Sequence, residues 1–408
     1  MQSKKTIIFL VIFSILMSTV TFQTYSFITI IYTLVALTFY LSINPKIDKL
    51  FYFICVFVFF VTIGQAYIFN AFNWYNFFGV TIIFLSPYFV YRVTGESHFK
   101  IYVQTIYILS IVSLLFWGLQ NVSTDFTSVL ASISTKLKLD PGSEEGIIIY
   151  NIEYSRSALG FIKNAGFVAE GGLFSTLLIP ALYLNNIKDT KLFTKVNLVL
   201  IFTIITTSST AGYVALGFFL IMVVLKLKSK FITTLFLPIL IFGLYYSVIE
   251  LPFMYSKVDK LYENEMNVYN TENNPARRGR ILSARIDLDL IKENPFFGRG
   301  IYSDNRYLNA EEKEIGYSNS YLGIVGLASR YGLVLWFFYL YFLIKFFFRY
   351  YRSKNDDSLF ETKIFPIFFC LSILAVASGQ NPFYMPIYLI MVYAGYDLVM
   401  KRKTVIYK

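Results

Sequence analysis

Twelve apolar runs are spaced along the chain, and they dictate the solvent in which it folds. A helix of roughly 20 mostly apolar residues crosses a hydrocarbon core of about 30 Å. The runs cover residues 6–22, 25–43, 50–69, 74–91, 101–117, 171–184, 196–207, 211–225, 231–249, 320–344, 364–377 and 383–400. The sixth and seventh are short and read as tilted or broken spans. Helices are the expected form, because an open strand leaves backbone groups unsatisfied in lipid. An ordinary soluble domain carries about 25% charged residues. This chain carries 15%, with 56% hydrophobic residues, which excludes a water-soluble globule. The first run follows Lys4 and Lys5 and precedes no small-residue cleavage site, so it reads as a retained span. The expected fold is an all-α polytopic membrane protein of about 12 transmembrane helices, with residues 1–408 forming one integral membrane domain.

The net charge of +11 would suggest a nucleic-acid partner on a soluble chain. Here its distribution records orientation. With the N-terminus inside, the even-numbered connections and both termini hold 21 of the 36 basic and 7 of the 25 acidic residues. The inside is then +14 and the outside −3, as the positive-inside rule requires. Both termini are expected to be cytoplasmic, with membrane lipid as the surrounding partner and no nucleic acid.

Two long outside loops interrupt the short turns, at residues 118–170 and 250–319. Loops of that length in a compact protein usually carry function. The chemistry open to them is narrow. His98, the only histidine, lies on a cytoplasmic loop in this topology, and Cys55 and Cys370 fall within spans. No metal site and no cofactor are expected. Outside chemistry then falls to Arg, Lys, Asp, Glu, Tyr and Asn.

Residues 277–294 read RRGRILSARIDLDLIKEN. Ile281, Ala284, Leu288 and Ile291 are spaced as one helix face, and Arg278, Arg285 and Lys292 recur every seven residues beside it. The helix is expected to stop at Asn294-Pro295, with FFGRG following as a turn. Such a face either grips a lipid diphosphate through arginine forks or lies on anionic headgroups. Arg156, Lys163 and Glu170 are also seven apart and would align if the segment is helical, while the glycines at 160, 166, 171 and 172 argue equally for close backbone approach in a loop. Glu170, at the membrane edge, is either a structural ion-pair partner or a reacting carboxylate. Arg330, in GLASRYGLV, either reaches to the headgroups or binds an anion. Tyr150, Tyr302 and Tyr317 add aromatic stacking faces to the outside loops.

These motifs, in order, resemble the O-antigen polymerase and ligase superfamily of bacterial envelope biogenesis. Arg156 with GFVAEGG is similar to the family's arginine followed by a Gly-Phe-x-x-Glu motif. TTSSTAG (Thr206 to Gly212) stands for its Ser/Thr-rich hairpin, and ARIDLDLIKENPFFGRG for its Arg-bearing helix and Asn-Pro-x-x-Gly-x-Gly turn. YSNSYLGIVGLASRYGLV stands for the closing His-Asn and Tyr-Gly-Leu segment, with one departure: Ser318 replaces the histidine expected before Asn319 in the ligase branch. That departure favours the polymerase branch and leaves the acceptor-activating base unassigned.

The resemblance implies a GT-C-like fold in the bacterial inner membrane, with amphipathic helices in the two large periplasmic loops. It implies a metal-independent glycosyltransferase that moves a growing glycan from undecaprenyl diphosphate to a hydroxyl of the next lipid-linked repeat unit, with inversion. Donor and acceptor are both undecaprenyl-diphosphate-linked oligosaccharides, and a chain-length regulator protein is a candidate partner. The catalytic candidates are Arg156, Glu170, Arg285 and Asp287. Lys163, Arg278, Arg299, Tyr317, Asn319 and Arg330 are the substrate-binding candidates. The alternatives are a lipid-linked oligosaccharide flippase, which should show charges lining a central cavity, and the ligase. A multi-span transferase with an acidic metal motif in its first outside loop is unlike this chain, because residues 22–25 contain no acid. The topology makes a direct prediction: green fluorescent protein fused after Lys408 will fluoresce, whereas alkaline phosphatase at that position will be inactive.

Overall fold

The computed structural model describes residues 3–18, 26–45, 47–69, 72, 74–137, 146–147, 149–157, 160–188, 192–226, 238, 280–300, 323–355 and 361–406. In chain order these form α1 (Lys4–Leu16), α2 (Ser26–Ser42), α3 (Lys49–Ile68), α4 (Trp74–Thr94), α5 (Ser97–Val122) and α6 (Thr124–Leu137). A two-stranded antiparallel ladder follows, β1 (Gly146–Ile147) with β2 (Tyr150–Asn151). Then come α7 (Gly171–Asn185), α8 (Lys195–Thr206), α9 (Thr210–Lys226), α10 (Arg280–Glu293), α11 (Gly323–Arg352), α12 (Glu361–Gly379) and α13 (Pro386–Ile406). A single 3-10 turn, Pro382–Tyr384, joins α12 to α13. The chain is an all-α membrane protein. Helices occupy eleven of the twelve apolar runs, and the ninth, residues 231–249, lies outside the described residues except for residue 238. Among the described residues, four helical stretches are long and apolar enough to cross a membrane: Lys49–Ile68, Phe77–Thr94, Ser97–Val122 and Gly323–Arg352.

Tyrosine is abundant in the core because its ring packs as an apolar body while its hydroxyl finds a carbonyl. Tyr102 donates to Leu177 O at 2.8 Å, Tyr388 to Thr176 O at 2.7 Å and Tyr393 to Phe84 O at 2.6 Å. Tyr183 shares 2.8 Å with Ser372 Oγ and stacks flat on Phe369 with centroids 4.4 Å apart. An unpaired hydroxyl in this setting would cost several kcal/mol in the limit of pure hydrocarbon, roughly 4–8. Each bond thus lets a polar atom cross-link two helices at no desolvation loss.

The two ends of the bundle are tied separately. At one end, Arg92 pairs with Asp48 at 2.5 Å and Asp397 at 2.6 Å, Lys354 pairs with Glu96 at 2.7 Å, and Asn355 donates to Ile187 O at 2.7 Å. All of these come from even-numbered connections or the C-terminal helix. At the other end, Asn164 N donates to Thr206 O at 3.0 Å and Gly323 N to Gln380 O at 3.1 Å, each joining a residue of an odd-numbered connection to the end of a helix.

Three local expectations change. Residues 160–170 contain no helix and Arg156 forms an antiparallel bridge with Ile162, so Arg156, Lys163 and Glu170 share no helix face. The glycines prevail there. Among the described side chains of α10, Asp287 and Leu290 are fully buried, Ala284 and Ile291 of the expected apolar stripe are half-buried, and Leu288 of that stripe is 49% exposed. The inward side of the helix thus includes a carboxylate, Asp287, which bonds Ser329 of α11. His98 is the second residue of α5 rather than a loop residue, and it is buried, stacked on Tyr102.

α11 breaks at Gly332, whose φ of 83° and ψ of 165° are non-helical. A break inside lipid strands backbone groups that water cannot reach. The segment after α10 satisfies them. Arg299 N donates to Ser329 O at 2.8 Å, Gly300 N to Arg330 O at 2.9 Å, and Leu333 N to Pro295 O at 2.7 Å. Gln65 of α3 adds its amide, donating to Phe297 O at 2.7 Å and Arg330 O at 3.0 Å. A Cβ at position 332 would overlap Phe296 O. Gly332→Ala is accordingly expected to lose roughly 1–3 kcal/mol from backbone strain alone, read as a lower melting temperature in detergent. Gly118→Ala, where a Cβ meets nothing within 4 Å, should leave that temperature unchanged or higher.

Candidate active site

The odd-connection end gathers most of the polar groups that the sequence singles out. α10 enters through Asp287, whose Oδ1 accepts from Ser329 Oγ at 2.7 Å. Ser329 in turn reaches Gly326 O at 3.2 Å. Arg330 follows directly, two turns into α11 and just before its break. Its guanidinium carbon lies 4.9 Å from the centre of the Tyr384 ring, and its Nε is buried with no hydrogen-bond partner among the described residues. Tyr384 is anchored by its hydroxyl to Gly326 O at 3.3 Å and packs edge-on against Tyr331 at 5.9 Å. The result is one arginine on an aromatic floor, with a buried carboxylate held one residue away. Such a group keeps its charge and offers planar donors to a phosphate or carboxylate.

Glu170 stands at the N-cap of α7 and accepts from Gln380 Nε2 at 2.5 Å. Gln380 begins the turn that ends in Tyr384, so this carboxylate and Arg330 are attached to opposite ends of one five-residue segment. The hydroxyl-rich turn between α8 and α9 closes the same end. Asn164 Nδ2 donates to Thr206 Oγ1 at 3.0 Å, and Thr210 Oγ1 is buried without a partner among the described residues.

The remaining candidates sit as follows. Arg299 is 9% exposed, ion-paired with Glu293 and placed over the Phe69 ring at 5.7 Å. Arg156 is exposed and donates to Gly160 O at 2.8 Å. Lys163 is half-buried, its N–H bonded to Ser155 O at 3.0 Å. Arg285 lies within α10. Arg278, Tyr302, Tyr317 and Asn319 lie outside the described residues. Tyr150 is not a stacking face: it is buried, donates to Gln120 Oε1 at 2.6 Å, and burial, with Glu153 nearby, pushes its phenol above the ordinary tyrosine range. Among the described residues no group of three His, Cys, Asp or Glu comes together.

Residues 196–340 match the Wzy_C family model, O-antigen ligase. That match supports the O-antigen polymerase and ligase superfamily. It covers less than half of the chain, from α8 through the break in α11, and so includes Asp287, Arg299, Arg330 and the segment that docks on Gly332. Glu170 and the 380–384 turn fall outside it. No curated protein and no solved structure matches the chain.

Gln65, Ser329, Gln380 and Tyr384 escape the sequence reading. Gln65 and Gln380 carried a usable signal, since an amide inside or beside an apolar span must find a partner. Tyr384 carried none, being one of 33 tyrosines. The Ser329–Asp287 bond is a hydrogen bond to a buried carboxylate, so Asp287→Ala and Ser329→Ala should each cost about 1.5–3 kcal/mol. Because both delete the same contact, the double variant should lose clearly less than the sum in thermal melts.

Proposed function

We propose that this chain polymerises lipid-diphosphate-linked oligosaccharide repeat units at the outer face of a bacterial cytoplasmic membrane. The family match already implies action on lipid-linked glycans as a glycosyltransferase-like enzyme. The observation that carries the finer reading is Arg330 on its Tyr384 floor, joined through one turn to Glu170. In the proposed reaction the acceptor hydroxyl oxygen attacks the anomeric carbon of the growing glycan, and the carbon–oxygen bond to the lipid diphosphate breaks. The electron pair leaves on the diphosphate, and the hydroxyl proton passes to Glu170.

Arg330 is the cation proposed to meet the developing charge of the leaving group, the kind of preorganised donor that contributes most to such transfers. Arg278, Arg285 and Arg156 are proposed to hold the diphosphate as it arrives, with Lys163, Tyr317 and Asn319 along the glycan. Asp287 and Arg299 are assigned supporting roles, the first holding Ser329 beside Arg330 and the second pinning the docked segment. The proposal includes twelve spans, periplasmic loops at 118–170 and 250–319, cytoplasmic termini and independence from metal. It also includes a chain-length regulator as a partner.

A ligase is the second reading, favoured by the description of the matching family. Ser318 in place of the ligase histidine supports the polymerase over it. Purified protein given lipid-linked repeat units should lengthen chains stepwise, and a folded protein that never does so removes this reading. Transfer to a terminal lipid acceptor without chain growth would establish the ligase instead. Arg330→Ala should lower the rate by roughly 10²–10³, the usual loss for one charge-stabilising donor. Arg330→Lys should recover part of it, since a point charge replaces the fork. A wild-type rate in Arg330→Ala would take that residue out of the site.

A further inference from the structure

Glu170 occupies an N-cap, yet its carboxylate makes no hydrogen bond to the first turn of α7. It turns away from its own helix and accepts from Gln380, 210 residues along the chain, at 2.5 Å. Gln380 is in turn held from several sides. It is 8% exposed. Its backbone oxygen accepts from Gly323 N at 3.1 Å. A Cβ at Gly323 would lie 2.5 Å from that oxygen, and a Cβ at Gly172 would overlap Gln380 Nε2 itself. Bare backbone of α7 at Gly172 therefore lies against this amide, and bare backbone of α11 at Gly323 lies against the main chain that carries it. The next residue, Asn381, has its Oδ1 buried with no hydrogen-bond partner among the described residues. Three residues further on, Tyr384 lies under the Arg330 guanidinium at 4.9 Å.

We propose that Gln380 is a positioning residue: its amide fixes the Glu170 carboxylate on the turn that also carries the floor of Arg330. This rests on the chain-transfer reading above. The amide offers one N–H to one carboxylate oxygen, which orients the second oxygen toward an incoming hydroxyl. Gly323 and its hydrogen bond hold the Gln380 main chain, and Gly172 leaves the side chain room to lie along α7 toward Glu170. The arrangement matters because a proton acceptor works only within hydrogen-bond reach of its proton, and a displacement of about 1 Å can cost 10²-fold.

The test uses the full chain in detergent with lipid-linked repeat units, following initial rates against unit concentration. Gln380→Leu should lower kcat by roughly 10–100-fold, with KM for the unit within about twofold of wild type and an unchanged melting temperature. Gly172→Ala leaves Gln380 in the chain but fills its seat, so it should lower kcat in the same direction. It also serves if Gln380→Leu fails to fold. The exchange Glu170→Gln with Gln380→Glu keeps an amide–carboxylate pair in the seat and should stay inactive, because the carboxylate now sits on the wrong side. A folded Gln380→Leu protein with wild-type kcat, or one altered only in KM, overturns the positioning role. An exchange variant with restored kcat overturns it too. A wild-type protein that extends no chains overturns the chain-transfer reading first, and the positioning role falls with it.

Discussion

A helix that breaks inside lipid must have its freed backbone groups taken up by protein, and the outer architecture of this chain follows from how α11 meets that demand. Its break at Gly332 releases the carbonyls of Ser329 and Arg330 and the N–H of Leu333. The Pro295–Gly300 segment supplies a partner for each, and the Gln65 amide braces the joint from α3. Two consequences are built into that solution. α10, directly before the segment, is drawn against α11 with Asp287 facing Ser329. Arg330, directly before the break, is held by its own carbonyl while its side chain lies over Tyr384. A family motif with Asn-Pro followed by spaced glycines thereby acquires a physical meaning: Gly298, at φ 62°, passes within 2.5 Å of the Arg330 backbone at the point where a Cβ would be.

The two ends of the bundle are fastened differently. Ion pairs among Asp48, Arg92, Asp397, Glu96 and Lys354 fasten the even-connection end. Among the described residues the odd-connection end relies mainly on amides, hydroxyls and backbone, with the Arg299–Glu293 pair on the docked segment, and Arg330 is a half-buried cation over the Tyr384 ring with the Asp287 carboxylate held one residue away. A charge so placed is expensive unless something anionic arrives to share it. That energetic tension is what the proposed diphosphate leaving group would relieve.

The sequence made the helices legible because apolar length is a strong signal in a membrane chain, and the end of α10 at Asn294-Pro295 follows from proline alone. It made the motifs legible but not their geometry. The stripe in α10 holds only in part, with Leu288 exposed and Asp287 buried against Ser329, because periodicity counts apolar residues and misses a carboxylate that finds a partner in α11. Of the two readings open for Arg156, Lys163 and Glu170, the loop is the one found, with Gly160 and Gly166 at positive φ. Long-range partners such as Gln65 to Phe297, or Gln380 to Glu170, depend on packing between spans, which no local spacing encodes. Arg330 was found because an arginine in an apolar run stands out whatever surrounds it.

The most direct measurement is the length distribution of surface glycan in cells lacking this chain. The account predicts that lipid-linked units are still made, exported and joined to their final acceptor, so glycans carrying a single repeat unit remain while longer ones disappear. Loss of all surface glycan, including the single-unit form, would contradict it and point to a flippase or a ligase.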